Sequence, residues 1–319
     1  MRIKKWVAIA AASLLALGTM AGCGDSGSTG GDGGDATLTI GMANLSLGGD
    51  YFEGMDKAVK ARGAELGFTV VSSNADGDAN KLLTDVENLV AQGVDGIIIS
   101  GAWLNDFPEA LAAASDANIP VVLVDRLTST KNYTAWIGPE NERMGKEVGE
   151  YLVSQLPNGG TAVIIRGGPE DNTIGIARTA GVTAAFTAAG ITIELATDFG
   201  GWNAQDGKTA MENMMAKLPQ IDVVFCENDD MCLGAKTAAA DAGKTNIIFG
   251  GIDGSASALA AIADAASEYK YVATGYNDPN VIGTKGVDVM KQILDGETVA
   301  QDQPIDSPLI TAANVADFI

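Results

Sequence analysis

The chain contains no histidine and only three cysteines in 319 residues. Without histidine there can be no Ser-His-Asp triad, no Cys-His pair and no imidazole metal site. Three cysteines cannot build a disulfide-dense scaffold or a four-thiolate zinc site. Bases are scarce too: 20 Lys and Arg against 41 Asp and Glu leave a formal charge of -21. A nucleic-acid partner needs a basic face to displace counterions, so that class is set aside. Phosphate-loop chemistry is lacking as well. Gly207-Lys208-Thr209 resembles the end of such a loop, but the glycine required five positions earlier is Trp202. Glu227, Asp229 and Asp230 do not follow the spacing of a calcium loop. No cofactor and no metal are expected. Enzymes built on carboxylate, lysine or tyrosine alone remain open.

Hydrophobic residues make up 46% of the chain, enough for substantial cores, and the length suits two domains of common size. The N-terminus reads as an address. Met1 to Lys5 is cationic, and Trp6 to Met20 is an apolar run interrupted only by small residues that ends in Met20-Ala21-Gly22-Cys23. This is the pattern of a signal peptide over 1–22, and its apolar run of about fifteen residues is short for a spanning helix, which needs roughly 20. A cysteine after Ala-Gly resembles the bacterial lipobox, with Met20 where leucine is usual, so Cys23 is the expected lipidation site. Gly24 to Asp35 holds nothing able to enter a core. The segment 23–35 therefore reads as a flexible tether with a reach of roughly 20 Å. The expected location is outside the bacterial cytoplasm, held to the membrane through lipid only.

From Thr37 short apolar runs alternate with segments of helical period. Strands are expected at Leu38–Ala43, Thr69–Ser73, Gly96–Ser100, Pro120–Asp125, Ala162–Arg166, Val223–Cys226, Ile247–Gly250 and Tyr271–Thr274. In the first helix, Tyr51–Leu66, the apolar residues Phe52, Met55, Val59 and Leu66 share a face and Gly67 marks the stop. Continuous apolar strands alternating with helices mean an α/β fold with parallel sheets covered on both faces. One barrel or two doubly wound domains would satisfy that pattern.

The residues at which these strands end favour two domains. Val121–Val124 runs into Asp125-Arg126, Val223–Cys226 into Glu227-Asn228-Asp229-Asp230, Ile247–Ile252 into Asp253-Gly254, and Tyr271–Tyr276 into Asn277-Asp278. Ligands of open α/β sheets bind outside the carboxyl ends of the strands. An Asp or Asn there often only caps the next helix. Taken as a set, with Arg126 beside Asp125, they point to a ligand edge. Trp202 follows Phe199-Gly200-Gly201 in a loop, and Trp103 follows the third strand, both without an evident place in a core. Cys226 and Cys232 are six apart, one at a strand end and one at a helix start; whether they pair or stay buried thiols is open.

Several motifs together resemble the periplasmic ribose-binding proteins, sugar-binding partners of ATP-driven (ABC) importers, over Leu38 to Phe318. They are Tyr51-Phe52, Asp125-Arg126, Arg178 with Gly181, Asn228-Asp229-Asp230-Met231 with Leu233-Gly234-Ala235, Gly251-Ile252-Asp253-Gly254, and Lys285-Gly286-Val287. The resemblance implies two doubly wound lobes joined by three hinge strands: 36–139 plus 278–305, and 140–277 plus 306–319. It also implies that Asp125, Arg126, Arg178, Asn228, Asp253 and Asn277 hold ligand hydroxyls while Tyr51, Phe52 and Trp202 enclose the ring. Carboxylates, amides and a guanidinium fork suit a ring of hydroxyls, and aromatic faces suit C–H patches.

Three departures bear on the ligand. Gly49 stands where the ribose pattern has asparagine, Asp50 where proline is frequent, and Asn277 where glutamine is found. The pocket is therefore reshaped, and a hexose, deoxy sugar, pentitol or inositol suits it as well as ribose. The expected function is a monomeric receptor that makes and breaks no bond and passes a monosaccharide or polyol to an ABC permease. The rivals are a receptor for a nucleoside or furanone-type signal, an exported sugar-modifying enzyme, and a regulator of the lactose-repressor type. The last would need a basic helix-turn-helix where this chain has its apolar leader.

Overall fold

The computed structural model describes residues 37–101, 108–169 and 174–319. The expected leader, tether and lipidation site at Cys23, and the candidate Trp103, lie outside these residues. Thr37–Ile319 forms a compact unit. Its first half runs β1 (Thr39–Asn44), α1 (Asp50–Glu65), β2 (Thr69–Asn74), α2 (Ala79–Gln92), β3 (Gly96–Ser100), α3 (Pro108–Asp116), β4 (Val121–Val124) and β5 (Ala135–Pro139). There follow α4 (Asn141–Ser154), β6 (Thr161–Ile165), α5 (Ile174–Ala188), β7 (Thr192–Leu195), α6 (Ala204–Lys217), β8 (Val223–Cys226) and α7 (Asp229–Asp241). The chain ends with β9 (Ile248–Asp253), α8 (Ala256–Ala263), β10 (Lys270–Tyr276), α9 (Pro279–Leu294), β11 (Asp302–Ile305) and β12 (Leu309–Thr311).

Two six-stranded sheets result, in the orders β11-β5-β4-β3-β1-β2 and β12-β10-β9-β8-β6-β7. All pairings are parallel except that of β10 with β12. Strand order reverses between β1 and β3 in one sheet and between β6 and β8 in the other, the positions where open sheets hold ligands. The chain passes from one sheet to the other three times: after β5, after β10, and between β11 and β12.

Each all-apolar strand serves two cores at once, because successive side chains point to opposite faces. Ile97 and Ile99 pack with Leu82, Val86 and Leu111 under α2 and α3. Ile98 between them packs with Met55, Val59, Ile282 and Met290 under α1 and α9. The second sheet repeats this: Val163 and Val224 face α6 and α7, whereas Ile164 and Phe225 face α4 and α5. Truncating one of these fully buried residues to alanine costs about 2–5 kcal/mol.

Local signals agree with the packing. Asp78 caps α2 by accepting from the N–H groups of Asn80 and Lys81, and Gly93 ends it in the left-handed conformation at φ 70°. Four strands were not anticipated, and each has a reason. β5 contains Gly138-Pro139, β7 is a half-exposed edge, and β11 and β12 are short edge strands of four and three residues. Cys226 and Cys232 are paired as a disulfide with Cα atoms 5.2 Å apart, buried in the core under α7. Among the described residues no helix is long and apolar enough to cross a membrane.

Candidate functional site

The carboxyl edges of both sheets face a cleft of about 1230 Å³. Every described candidate lines it: Tyr51, Phe52, Asp125, Arg126, Arg178, Trp202, Asn228, Asp253 and Asn277. Three of them hold backbone conformations that side-chain-bearing residues rarely adopt. Asp125 has φ 68°, Trp202 φ 59° and Asp253 φ 125°. Such strain persists only where the surroundings over-determine it, and it concentrates at functional sites.

Asp125 follows β4 directly. Its N–H donates to the Ile137 carbonyl at 2.8 Å, and its own carbonyl accepts from the Trp136 indole at 3.1 Å. Its carboxylate accepts from the Tyr51 hydroxyl at 2.9 Å. Phe52, next to Tyr51 on the first turn of α1, meets it edge-on at 5.3 Å between ring centroids. Phe52 is only half-buried and belongs to neither core of its lobe, so it faces the cleft and not the helix stripe on which its spacing also put it. Gly49, just before α1, has φ 93° and nothing within reach of an added Cβ, so the reshaped corner is open.

On the opposite wall Arg178 is 2% exposed. Its Nη1 donates to the Glu227 carbonyl at 2.6 Å and lies 3.2 Å from Asp253 Oδ1, while its Nε donates to Asn141 Oδ1 at 2.9 Å. Asn141 was not anticipated. It reaches Arg178 because α4 and α5 touch backbone to backbone: a Cβ on Gly145 would strike the Arg178 carbonyl, and one on Gly181 the Glu142 carbonyl. That accounts for Gly181 three residues after Arg178.

Two buried carboxylates brace this wall. Glu227 accepts from the Gly167 N–H and the Thr179 hydroxyl, both at 2.6 Å. Asp229 accepts from the Tyr271 hydroxyl at 2.7 Å, the Thr274 hydroxyl at 2.8 Å and the Ser255 N–H at 2.8 Å, pinning the turn that carries Asp253. Asn228 has two tasks: its Oδ1 caps α7 by accepting from the Met231 N–H at 3.0 Å, and its Nδ2 donates to the Trp202 carbonyl at 3.3 Å. The cap reading and the site reading of Asn228 therefore both hold a share. The Trp202 ring lies flat enough on Gly167 that a Cβ there would collide with it, and the Arg126 guanidinium stands 5.6 Å from its centroid across the cleft.

Burial pushes the Asp253 carboxyl up to about 7; Arg178 pulls against this, and the charges of Asp229 and Asp125 add to it. Yet 21% of its side chain stays open to the cleft. Burial also raises Asp229 and holds the Tyr51 hydroxyl well above its ordinary range, with the Asp125 charge the next cause. Asp230 is raised by burial and by Asp50, one carboxylate from each side of the cleft.

Asn277 sits where the chain leaves β10. Its Nδ2 donates to the Tyr51 hydroxyl at 2.9 Å and lies 3.4 Å from Asp253 Oδ1. Its Oδ1 is buried and has no partner among the described residues. A buried amide oxygen in that condition costs about 1–3 kcal/mol until a donor meets it. The arrangement can thus hold a molecule rich in hydroxyls; it contains acceptors, two guanidinium groups and aromatic walls.

A family profile described as a periplasmic binding protein domain matches residues 40–298. The ribose import binding protein of Bacillus subtilis is 28% identical over 272 residues, 85% of this chain and 86% of that protein. A xylitol-binding protein of Mycolicibacterium smegmatis is 29% identical over 313 residues, 97% of this chain and 86% of its own. The crystal structure of an ABC transporter solute-binding protein from Bacillus halodurans with bound myo-inositol superposes with a TM-score of 0.80 at 28% identity, covering 89% of this chain and 98% of that one. The chain belongs to the periplasmic binding protein family, two-lobed solute receptors and not enzymes.

Proposed function

We propose that this protein captures a neutral monosaccharide or polyol between its lobes and delivers it to an ABC importer outside the cytoplasm. One observation carries the reading. Asp125, Asp253, Arg178 and Asn277 converge from two sheet edges on one cleft, and the buried Asn277 oxygen lacks a donor among the described residues. The relatives named for ribose and xylitol import or binding support the same ligand class. Carboxylates outnumber guanidinium groups on the cleft wall, which disfavours sugar phosphates and uronates.

Each lobe supplies part of the polar shell, so a ligand that touches both favours the closed arrangement. The moving bodies are 36–139 with 278–305, and 140–277 with 306–319, which turn about the three crossings. The receptor works as a monomer, leashed through a lipid on Cys23 by the 23–35 tether, with 1–22 removed as a signal peptide.

A thermal-shift screen against pentoses, hexoses, pentitols and inositols tests the ligand class. A ligand at a hundred times its Kd adds roughly 2.7 kcal/mol, a shift of several degrees. One strong hit that disappears in Asp253→Ala fixes both ligand and site. Silence from folded protein across the whole panel overturns the reading in favour of a nucleoside or signal-molecule receptor. Mass spectrometry of the membrane-associated protein tests the anchor: diacylation is lost in Cys23→Ser.

A further inference from the structure

The Tyr51 hydroxyl lies between two groups, 2.9 Å from Asp125 Oδ1 and 2.9 Å from the Asn277 amide. A phenol has one proton to donate. An ionised carboxylate can only accept, so that proton goes to Asp125 and the Tyr51 oxygen is left as an acceptor toward Asn277. The Asn277 atom facing it must then be the NH2 group. The second neighbour on that side, Asp253 Oδ1 at 3.4 Å, is also an acceptor and demands the same orientation. The amide therefore cannot turn over without setting its oxygen against two acceptors. Its Oδ1 is directed away from both, buried, and without a partner among the described residues.

We propose that Tyr51 is a positioning residue: by donating to Asp125 it fixes the Asn277 amide with its carbonyl oxygen toward the ligand, so that this corner of the cleft accepts only and selects a ligand hydroxyl. The inference rests on the receptor reading above and adds a polarity to one point of the site. Asn277 lies at a crossing between the sheets, whereas Tyr51 and Asp125 belong to the first lobe. The relay thus makes the acceptor's direction depend on a residue from the other side of the cleft.

The test uses the purified protein labelled with 15N-asparagine, the Asn277 side-chain signal being assigned by its loss in Asn277→Ser. Tyr51→Phe removes the relay and leaves the ring. The expected result is a shift of the Asn277 amide protons with faster exchange, and at least about tenfold weaker binding of whichever of D-ribose, D-fructose, xylitol and myo-inositol binds the wild type. Among analogues of that probe lacking one hydroxyl each, the one most strongly rejected by the wild type is rejected less by Tyr51→Phe. Unmoved amide signals, or unchanged affinity and discrimination, overturn the proposal. Should Tyr51→Phe fail to fold, Asp125→Asn serves in its place: the Tyr51 proton is released from a pure acceptor, and the same amide signals shift. If no probe binds the wild type, the receptor reading and the selection of a hydroxyl fall together, while the amide signals still decide the relay.

Discussion

The fourth strands of the two sheets, β4 and β9, occupy matching places in matching strand orders; β4 runs directly into Asp125 and β9 ends in Asp253, both at positive φ. The described supports of these twin turns differ. Around Asp125 they include the Ile137 carbonyl, the Trp136 indole and the Tyr51 hydroxyl, with the Arg126 guanidinium 3.9 Å from its carboxylate. Around Asp253 the guanidinium stands closer, Arg178 at 3.2 Å, and a second carboxylate, Asp229, pins the turn. The same topology has been braced in two ways, and in the second, burial and the Asp229 charge raise the aspartate to about 7. A duplicated geometry does not carry duplicated neighbours.

Removing the charge from the second turn is the strongest way to break the comparison. Arg178→Ala leaves Asp253, the Glu227 carbonyl and Asn141 without their shared donor. It should cost about 3 kcal/mol of stability by denaturant titration and abolish ligand binding in calorimetry. Loss of binding with unchanged stability would show that the wall stands without its guanidinium.

The disulfide is the next device found on that wall among the described residues. It brackets Glu227, Asn228 and Asp229, so it closes a short loop in the denatured chain. Cys226→Ser with Cys232→Ser should lower stability by about 2 kcal/mol. Affinity should fall with it, because Asn228 braces Trp202.

Acid should act on the second turn. The Asp253 carboxyl lies above its ordinary value in the fold, so the folded state holds more protons than the unfolded one between that value and about 7. For this group stability is therefore greater at the acid end of that window and declines as pH rises through about 7. Binding has the opposite sign where a ligand hydroxyl donates to the carboxylate: affinity should weaken roughly tenfold between pH 8 and pH 6. Asp229→Asn, which removes one of the charges that raise Asp253, should move that midpoint to lower pH. A pH series of calorimetric titrations checks both signs.

The first turn offers the smallest effect. Trp136→Phe takes one neutral hydrogen bond from the Asp125 carbonyl and should cost about 1 kcal/mol, with no change in the pH midpoint of binding. A shifted midpoint would mean that the Trp136 bond also places the Asp125 charge, one of those that raise Asp253.

What was legible beforehand follows from distance along the chain. β3 and β4 are announced by unbroken apolar runs, and Asp125, Asp253 and Asn277 by where such runs stop. Phe52 was ambiguous because its place on a helix stripe suited core and cleft equally. Asn141, Glu227 and Asp229 as braces were not legible, since each acts on a partner dozens of residues away, 37 positions in the case of Asn141 and Arg178. β7 and β12 escaped notice because edge strands need only one good face. Pairing of the cysteines depended on how α7 leaves β8, which the spacing leaves undetermined.

The three crossings also set an order of assembly. The core between the first sheet and α1 requires Ile282, Val287 and Met290 from α9, which follows the whole of the second sheet except its edge strand β12. A chain emerging from its N-terminus can therefore nearly complete the second lobe while the first still exposes Ile40, Met42 and Ile98. The lobe begun first is finished last, and during that interval its uncovered apolar sheet is the part of the molecule that most needs protection from aggregation.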